Sequence, residues 1–193
     1  MIHLVLGGAR SGKSRLALNA VLARHHEQCA AGIETPRYFV ATATVLDGEM
    51  SERIRRHQAE RDSGWTLAEV PLDLAGWLRA HGCQPGVILV DCLTLWLNNQ
   101  LYHFPDQDFV SLFADLQQAL LACEADVWLV ANEVGLGIIP LGEVTRRFVD
   151  EAGRLNQGLG VIADTATLVV AGLPLVLKSS VGRALDTTGT ERG

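Results

Sequence analysis

The chain has little cysteine, no excess of basic charge and no long apolar run, and each shortage argues against a class of protein. The four cysteines, Cys29, Cys83, Cys92 and Cys123, stand far apart with no C-x-x-C pair, which disfavours a disulfide framework and a zinc site and reads as reduced thiols. Lysine and arginine total 16 against 22 aspartates and glutamates, a formal net charge of -6, so no broad attraction to nucleic acid or anionic lipid is expected. The opening MIHLVLGG is too short to span a membrane and lacks the charged front and cleavage signal of an export peptide; the expectation is a cytoplasmic protein with no membrane span. No internal repeat, low-complexity segment or linker divides the chain.

What is present is enough apolar sequence for one sizeable core: 193 residues, 48% of them hydrophobic. Short continuous apolar runs at 2–6, 37–42, 86–91, 126–132 and 167–172, with a weaker one at 174–178, read as strands covered on both faces. Segments with helical spacing lie between them, at roughly 13–26, 48–61, 72–81, 107–123 and 144–160. This alternation predicts an α/β fold of three layers, a mostly parallel sheet wrapped by helices through right-handed crossovers. Residues 1–178 are expected to form a single domain, and the small, polar stretch 179–193 a flexible C-terminal tail.

The strongest local signal is LVLGGARSGKSRLAL, in which Gly7-x-x-x-x-Gly12-Lys13-Ser14 follows a predicted strand and opens a predicted helix. Glycines let the backbone curl so that successive N–H groups face one anion, and the helix N-terminus adds partial positive charge. Lys13 is expected to reach the β- and γ-phosphates of a nucleoside triphosphate, and Ser14 to hold Mg2+. Asp91, ending the apolar run GVILVD, is the acid expected near that metal, outside the carboxyl end of a parallel strand. Asp126 precedes its strand, at the opposite edge of the sheet, and reads as a turn residue.

His57 sits among arginines in MSERIRRHQAERDSGW. On a helix, Met50, Ile54, His57 and Arg61 share one stripe with Arg53 at its border, so the apolar face turns polar halfway along. A core histidine satisfied by hydrogen bonds and a reactive histidine are both compatible with that pattern; cationic neighbours favour the neutral imidazole, the form able to attack phosphorus. ANEVGLGIIP (131–140) suits a binding loop or simple turn chemistry, and Arg154, Asn156 and Gln157 read either as helix-surface polarity or as part of a site.

Taken together and in this order, GGARSGKS, RIRRHQAER, VDCLTLW, NEVGLGIIP and GRLNQ closely resemble the bifunctional adenosylcobinamide kinase / adenosylcobinamide-phosphate guanylyltransferase family of cobalamin synthesis, over about residues 2–178. The resemblance implies a P-loop, RecA-like nucleotide-binding core and a homotrimer. It implies phosphorylation of adenosylcobinamide by ATP or GTP, then transfer of GMP from GTP through a histidine to adenosylcobinamide phosphate. Carried over by position, the histidine is His57 and the phosphates are held by Gly7, Gly8, Ala9, Arg10, Ser11, Gly12, Lys13 and Ser14. The GTP site is lined by Ala41, Thr42, Ala43, Gln58, Ala59, Glu60 and Arg61, and Glu69 and Asp91 contact the nucleotide. Arg53, Arg61 and Lys13 carry the charge that departing phosphate needs. Two other readings stand beside it: a monofunctional small-molecule kinase, and a nucleotide-dependent switch that binds partners and turns over slowly.

Overall fold

The computed structural model describes residues 1–43 and 64–180. The expected helix over 48–61 and the tail from 181 onward lie outside them. The described chain runs β1 (Ile2–Gly7), α1 (Lys13–Ala30), β2 (Arg37–Ala41), β3 (Thr66–Glu69), α2 (Leu74–His81), β4 (Val87–Asp91), α3 (Leu93–His103), α4 (Phe109–Leu121), β5 (Asp126–Asn132), α5 (Glu143–Ile162), β6 (Thr165–Val170) and β7 (Leu173–Lys178). The seven strands form one sheet in the order β3-β2-β4-β5-β1-β6-β7. Six are parallel, and β7 alone runs antiparallel, to β6.

Continuous apolarity in the central strands has a direct cause, because successive side chains enter opposite cores. Leu4 and Leu6 of β1, with Ile88, Val90 and Leu129, join the cluster containing Leu74, Leu78, Leu93, Trp96, Leu116 and Leu155. Val5, between them, joins Phe39, Leu89, Trp128 and Val130 against Ala17 and Val21 of α1. The sheet is thus a middle layer with α1 on one face and α2 to α5 on the other.

Two helices start two residues later than their periodicity predicts, and capping explains both. Asp73 accepts a hydrogen bond from Gly76 N at 2.9 Å ahead of α2. Asp108 accepts from Val110 N at 3.0 Å and Ser111 N at 3.3 Å ahead of α4. Each carboxylate satisfies first-turn donors that have no partner inside the helix. The Asp108 carboxyl is held below its ordinary pKa, chiefly by Ser111 hydrogen bonds.

The sheet's last strand differs most from expectation. β6 covers 165–170 rather than 167–172, because Ala171 (φ 52°) and Gly172 (φ 80°) form a two-residue turn between Val170 and Leu173. Positive φ at both central residues matches the twist of a tight hairpin. The run 174–178 therefore folds back on β6 instead of crossing over. Leu173, Leu175, Val176 and Leu177 of β7 are exposed in the single chain.

Asp126 is more than a turn residue. It is buried at the amino end of β5, where it accepts hydrogen bonds from the terminal ammonium of Met1 at 2.8 Å and from Arg24 Nε at 2.6 Å. Burial alone would raise its pKa, but these two cations and their hydrogen bonds outweigh burial and hold the carboxyl below its usual value.

Candidate nucleotide and phosphoryl-transfer site

The site lies at the carboxyl edge of the parallel strands, where β1 gives way to the loop 8–12. Gly7 must lack a side chain. A Cβ there would stand 2.5 Å from Ser11 Oγ and 2.7 Å from the main-chain oxygen of Val169, and the second clash is with backbone that cannot swing away. Gly12 caps α1 at φ 94°, a left-handed conformation that glycine adopts freely. Arg10 is also left-handed at φ 57°, an uncommon state for a residue with a side chain. Ser11 N donates to Gly8 O at 3.2 Å and closes the curl.

Helix α1 begins without a side-chain cap and without an acidic residue in its first turn. Unlike α2 and α4, it has no N-terminal cap carboxylate among the described residues, and a helix N-terminus of this kind can meet an anion. Lys13 is buried, with its ammonium donating to Gly8 O at 3.1 Å. Ser14 follows it, partly exposed. One test isolates this geometry: Gly7→Ala is expected to reduce nucleotide affinity by at least about tenfold, since moving backbone by even a few tenths of an ångström spoils converging N–H groups. Isothermal titration with GTP measures it.

Strand register sets where the acids stand along the same edge, Asp91 two strands from β1 and Glu69 four. Glu69, Ala41, Asp91 and Val130 stand side by side across β3, β2, β4 and β5. Residues level with one another in parallel strands present side chains to the same face, and Val130 and Ala41 pack with α1. Asp91 therefore projects on the face that carries Lys13 and Ser14. A hydroxyl and a carboxylate are oxygen donors suited to a hard cation that keeps most of its coordination for phosphate and water. No cluster of three or more His, Cys, Asp or Glu side chains with metal-binding geometry occurs among the described residues.

Cys92, next to Asp91, is not a nucleophile. Burial, with Asp91 adding to it, pushes its thiol up to about 11, so it stays protonated near neutral pH.

The residues expected at the site divide into three groups. Gly7 to Ser14 and Asp91 lie at the carboxyl edge two strands apart, and Ala41 and Glu69 share that edge three and four strands from β1. Thr42 is fully buried, and its hydroxyl donates to Cys92 O at 2.7 Å and accepts from Cys92 N at 3.0 Å; it clasps the ends of β2 and β4, with Ala43 partly exposed beyond it. His57, Gln58, Ala59, Glu60 and Arg61, with Arg53, lie outside the described residues. Arg154 pairs along α5 with the buried Glu151 at 2.6 Å.

A scan against family models matches residues 3–177 to "Cobinamide kinase / cobinamide phosphate guanyltransferase", the CobU family. The chain belongs to that family. Among curated proteins it is similar to the bifunctional adenosylcobalamin biosynthesis protein CobP of Pseudomonas aeruginosa, 44% identical over 182 residues that cover 92% of this chain and 98% of the relative. It is also similar to the bifunctional adenosylcobalamin biosynthesis protein CobU of Salmonella typhimurium, 37% identical over 191 residues, covering 92% and 100% respectively. This CobU-family chain is accordingly a kinase and a nucleotidyltransferase.

Sequence reading missed the polar residues of α3 that brace this CobU-family site. Asn99, buried, donates to Thr42 O at 2.8 Å and Pro71 O at 3.1 Å, and Gln100 donates to Leu72 O at 2.8 Å. They hold the ends of β2 and the segment after β3 against β4. The available signal was a pair of amides inside the apolar run LTLWLNNQ, because amides at buried helix positions persist when they bond backbone from other elements.

Proposed function

We propose that the phosphate loop binds ATP or GTP for phosphorylation of the adenosylcobinamide hydroxyl, and that His57 then accepts GMP from GTP and passes it to adenosylcobinamide phosphate, giving adenosyl-GDP-cobinamide. The observation that carries this reading is the convergence of the uncapped α1 terminus, buried Lys13 and the Asp91 carboxylate on one face of the sheet.

In the kinase reaction the loop N–H groups and Lys13 hold the phosphates and neutralise charge that grows on the leaving oxygen. Ser14 and Asp91 would hold Mg2+, which supplies further charge neutralisation when bound. In the guanylyl reaction the His57 imidazole displaces pyrophosphate from the α-phosphorus, forming a nitrogen–phosphorus bond as the α,β-bridging bond breaks. The phosphate of the corrinoid then displaces histidine. Splitting the transfer into two displacements leaves each with a good in-line nucleophile. Gly8 to Arg10, Thr42 and Ala43, Gln58 to Arg61 and Glu69 complete the proposed nucleotide site, within a single unit spanning 1–178.

Incubation with α-labelled GTP tests the covalent step. Label bound to protein should survive alkali and be released by acid, as a phosphoramidate is, and its absence in the parent chain would overturn the proposal.

The homotrimer belongs to the same reading. Exposed apolar side chains along the edge strand β7, with Val170 beside it, mark a surface that a parallel sheet normally covers. A closed ring of three needs two unlike contact surfaces on each copy. Leu136, Ile138, Ile139, Leu141 and Val144, all highly exposed, provide a second. Leu175→Lys is expected to convert a threefold particle into monomers in sedimentation; an unchanged particle would remove β7 from the contact. No helix among the described residues is long and apolar enough to cross a membrane; a cytoplasmic location belongs to the same proposal.

A further inference from the structure

Two buried polar side-chain atoms among the described residues have no hydrogen-bond partner, Ser11 Oγ and Asn132 Oδ1. They flank the same point. Asn132 lies in register beside Gly7, and Ser11 Oγ fills the space that a Gly7 side chain would take. A buried acceptor left without a donor lowers stability, and such atoms persist where a ligand completes them.

The placement of Asn132 says which ligand. β5 runs between β1 and β4, so its last residue stands between the strand that enters the phosphate loop and the strand that ends in Asp91. Asp91 is level with Val130, two residues before Asn132; by strand alternation all three side chains leave the same face, the one packed by α1. The main chain around Asn132 is fixed, since Asn132 N donates to Thr94 Oγ1 at 2.6 Å and Glu133 N donates to Gly7 O at 3.1 Å. Asn132 thus stands, by register, between the strand that enters the loop carrying Lys13 and the strand that ends in Asp91, with its carboxamide oxygen unengaged. Those two charges address the β,γ end of a triphosphate.

We propose that Asn132 is a catalytic residue of the phosphoryl-transfer reaction alone, its carboxamide hydrogen-bonding both the acceptor hydroxyl and the γ-phosphoryl group so that they lie in line. A primary amide carries an acceptor and a donor in one plane and no charge to repel phosphate. Oδ1 accepts from the hydroxyl, and Nδ2 donates to a γ-phosphoryl oxygen. The hydroxyl oxygen bonds to the γ-phosphorus as the β,γ-bridging bond breaks and the bridging oxygen keeps the electron pair. The hydroxyl proton leaves to a transferred phosphoryl oxygen; the amide orients and takes no proton. Guanylyl transfer, which occurs at the α-phosphorus, does not use this contact. The proposal rests on the loop binding the triphosphate.

The test compares Asn132→Ala and the uncharged Asn132→Ser, whose short hydroxyl cannot bridge both partners, with the parent, in the full chain. Phosphorylation of cobinamide from γ-labelled ATP is expected to fall about 100-fold or more in kcat. Protein labelling from α-labelled GTP should stay within about threefold, since that reaction occurs at the α-phosphorus, and GTP affinity within about tenfold, the loss of one neutral hydrogen bond to the γ-phosphoryl group. The melting temperature of Asn132→Ala should not fall, since the substitution removes an unsatisfied buried group. Kinase activity within about threefold of the parent overturns the proposal, as does a parallel loss of both activities and of nucleotide affinity, the pattern of a merely structural residue. Should Asn132→Ala fail to fold, Asn132→Ser decides by the same pair of rates. A parent chain that bound no triphosphate would instead refute the underlying site, and titration of the parent separates the two failures.

Discussion

His57→Ala abolishes guanylyl transfer, by about 10,000-fold or more, and leaves cobinamide phosphorylation within about threefold of the parent. The first figure follows from removing a covalent nucleophile, for which water is a poor and badly placed substitute. The second follows from the geometry at the carboxyl edge. Phosphoryl transfer needs positioning and charge neutralisation rather than a protein nucleophile. Lys13, Asp91 and the α1 terminus are set by β1, β4 and the loop between β1 and α1, none of which includes residue 57. Separate assays with α-labelled GTP and γ-labelled ATP give the two rates. Equal loss of both would mean that His57 serves nucleotide binding in general; equal retention would remove it from the mechanism.

Lys13→Ala is expected to lose both reactions together. The ammonium is buried against Gly8 O and forms part of the surface that the triphosphate meets, so it acts on a ground-state contact and on charge developing at the leaving oxygen. Loss of one such donor in a water-poor site costs about 100- to 1,000-fold in turnover, and weaker phosphate binding adds to it in kcat/KM. Lys13→Arg should rescue little, because a planar guanidinium cannot occupy the compact position of an ammonium inside the curl. The contrast between this shared loss and the one-sided loss at His57 identifies a common cradle serving two chemistries. Retention of either activity in Lys13→Ala would separate the two sites.

Much of this could be read from sequence because the information is local. In the phosphate loop the glycines, the lysine and the start of the helix are adjacent in the chain, and neighbouring residues decide the backbone path. Strands β1, β4 and β5 declare themselves by lying between two cores. By contrast β3, Thr66–Glu69, is a four-residue edge strand with three exposed positions, so burial leaves little mark on it. Helix α3 is hard to separate from the apolar run before it, and its amides Asn99 and Gln100 make sense only once the segments they bond are in place. The antiparallel return of β7 depends on Ala171 and Gly172 turning the chain; in sequence the same residues continue an apolar run. Register is the least visible quantity. Nothing near Asn132 in the sequence says that it will stand beside Gly7 and two positions past the level of Asp91.

The Ala171–Gly172 turn also reaches the anion site. Gly172 N donates to Ser11 O at 2.9 Å, and a side chain on Gly12 would meet Gly172 Cα at 3.4 Å. The outer ribbon of the sheet is therefore a lever whose short arm ends on the curl proposed to grip phosphate. Whatever clasps its long, greasy arm also steadies that grip, so the stiffness of the cradle belongs as much to the molecule's margin as to its centre.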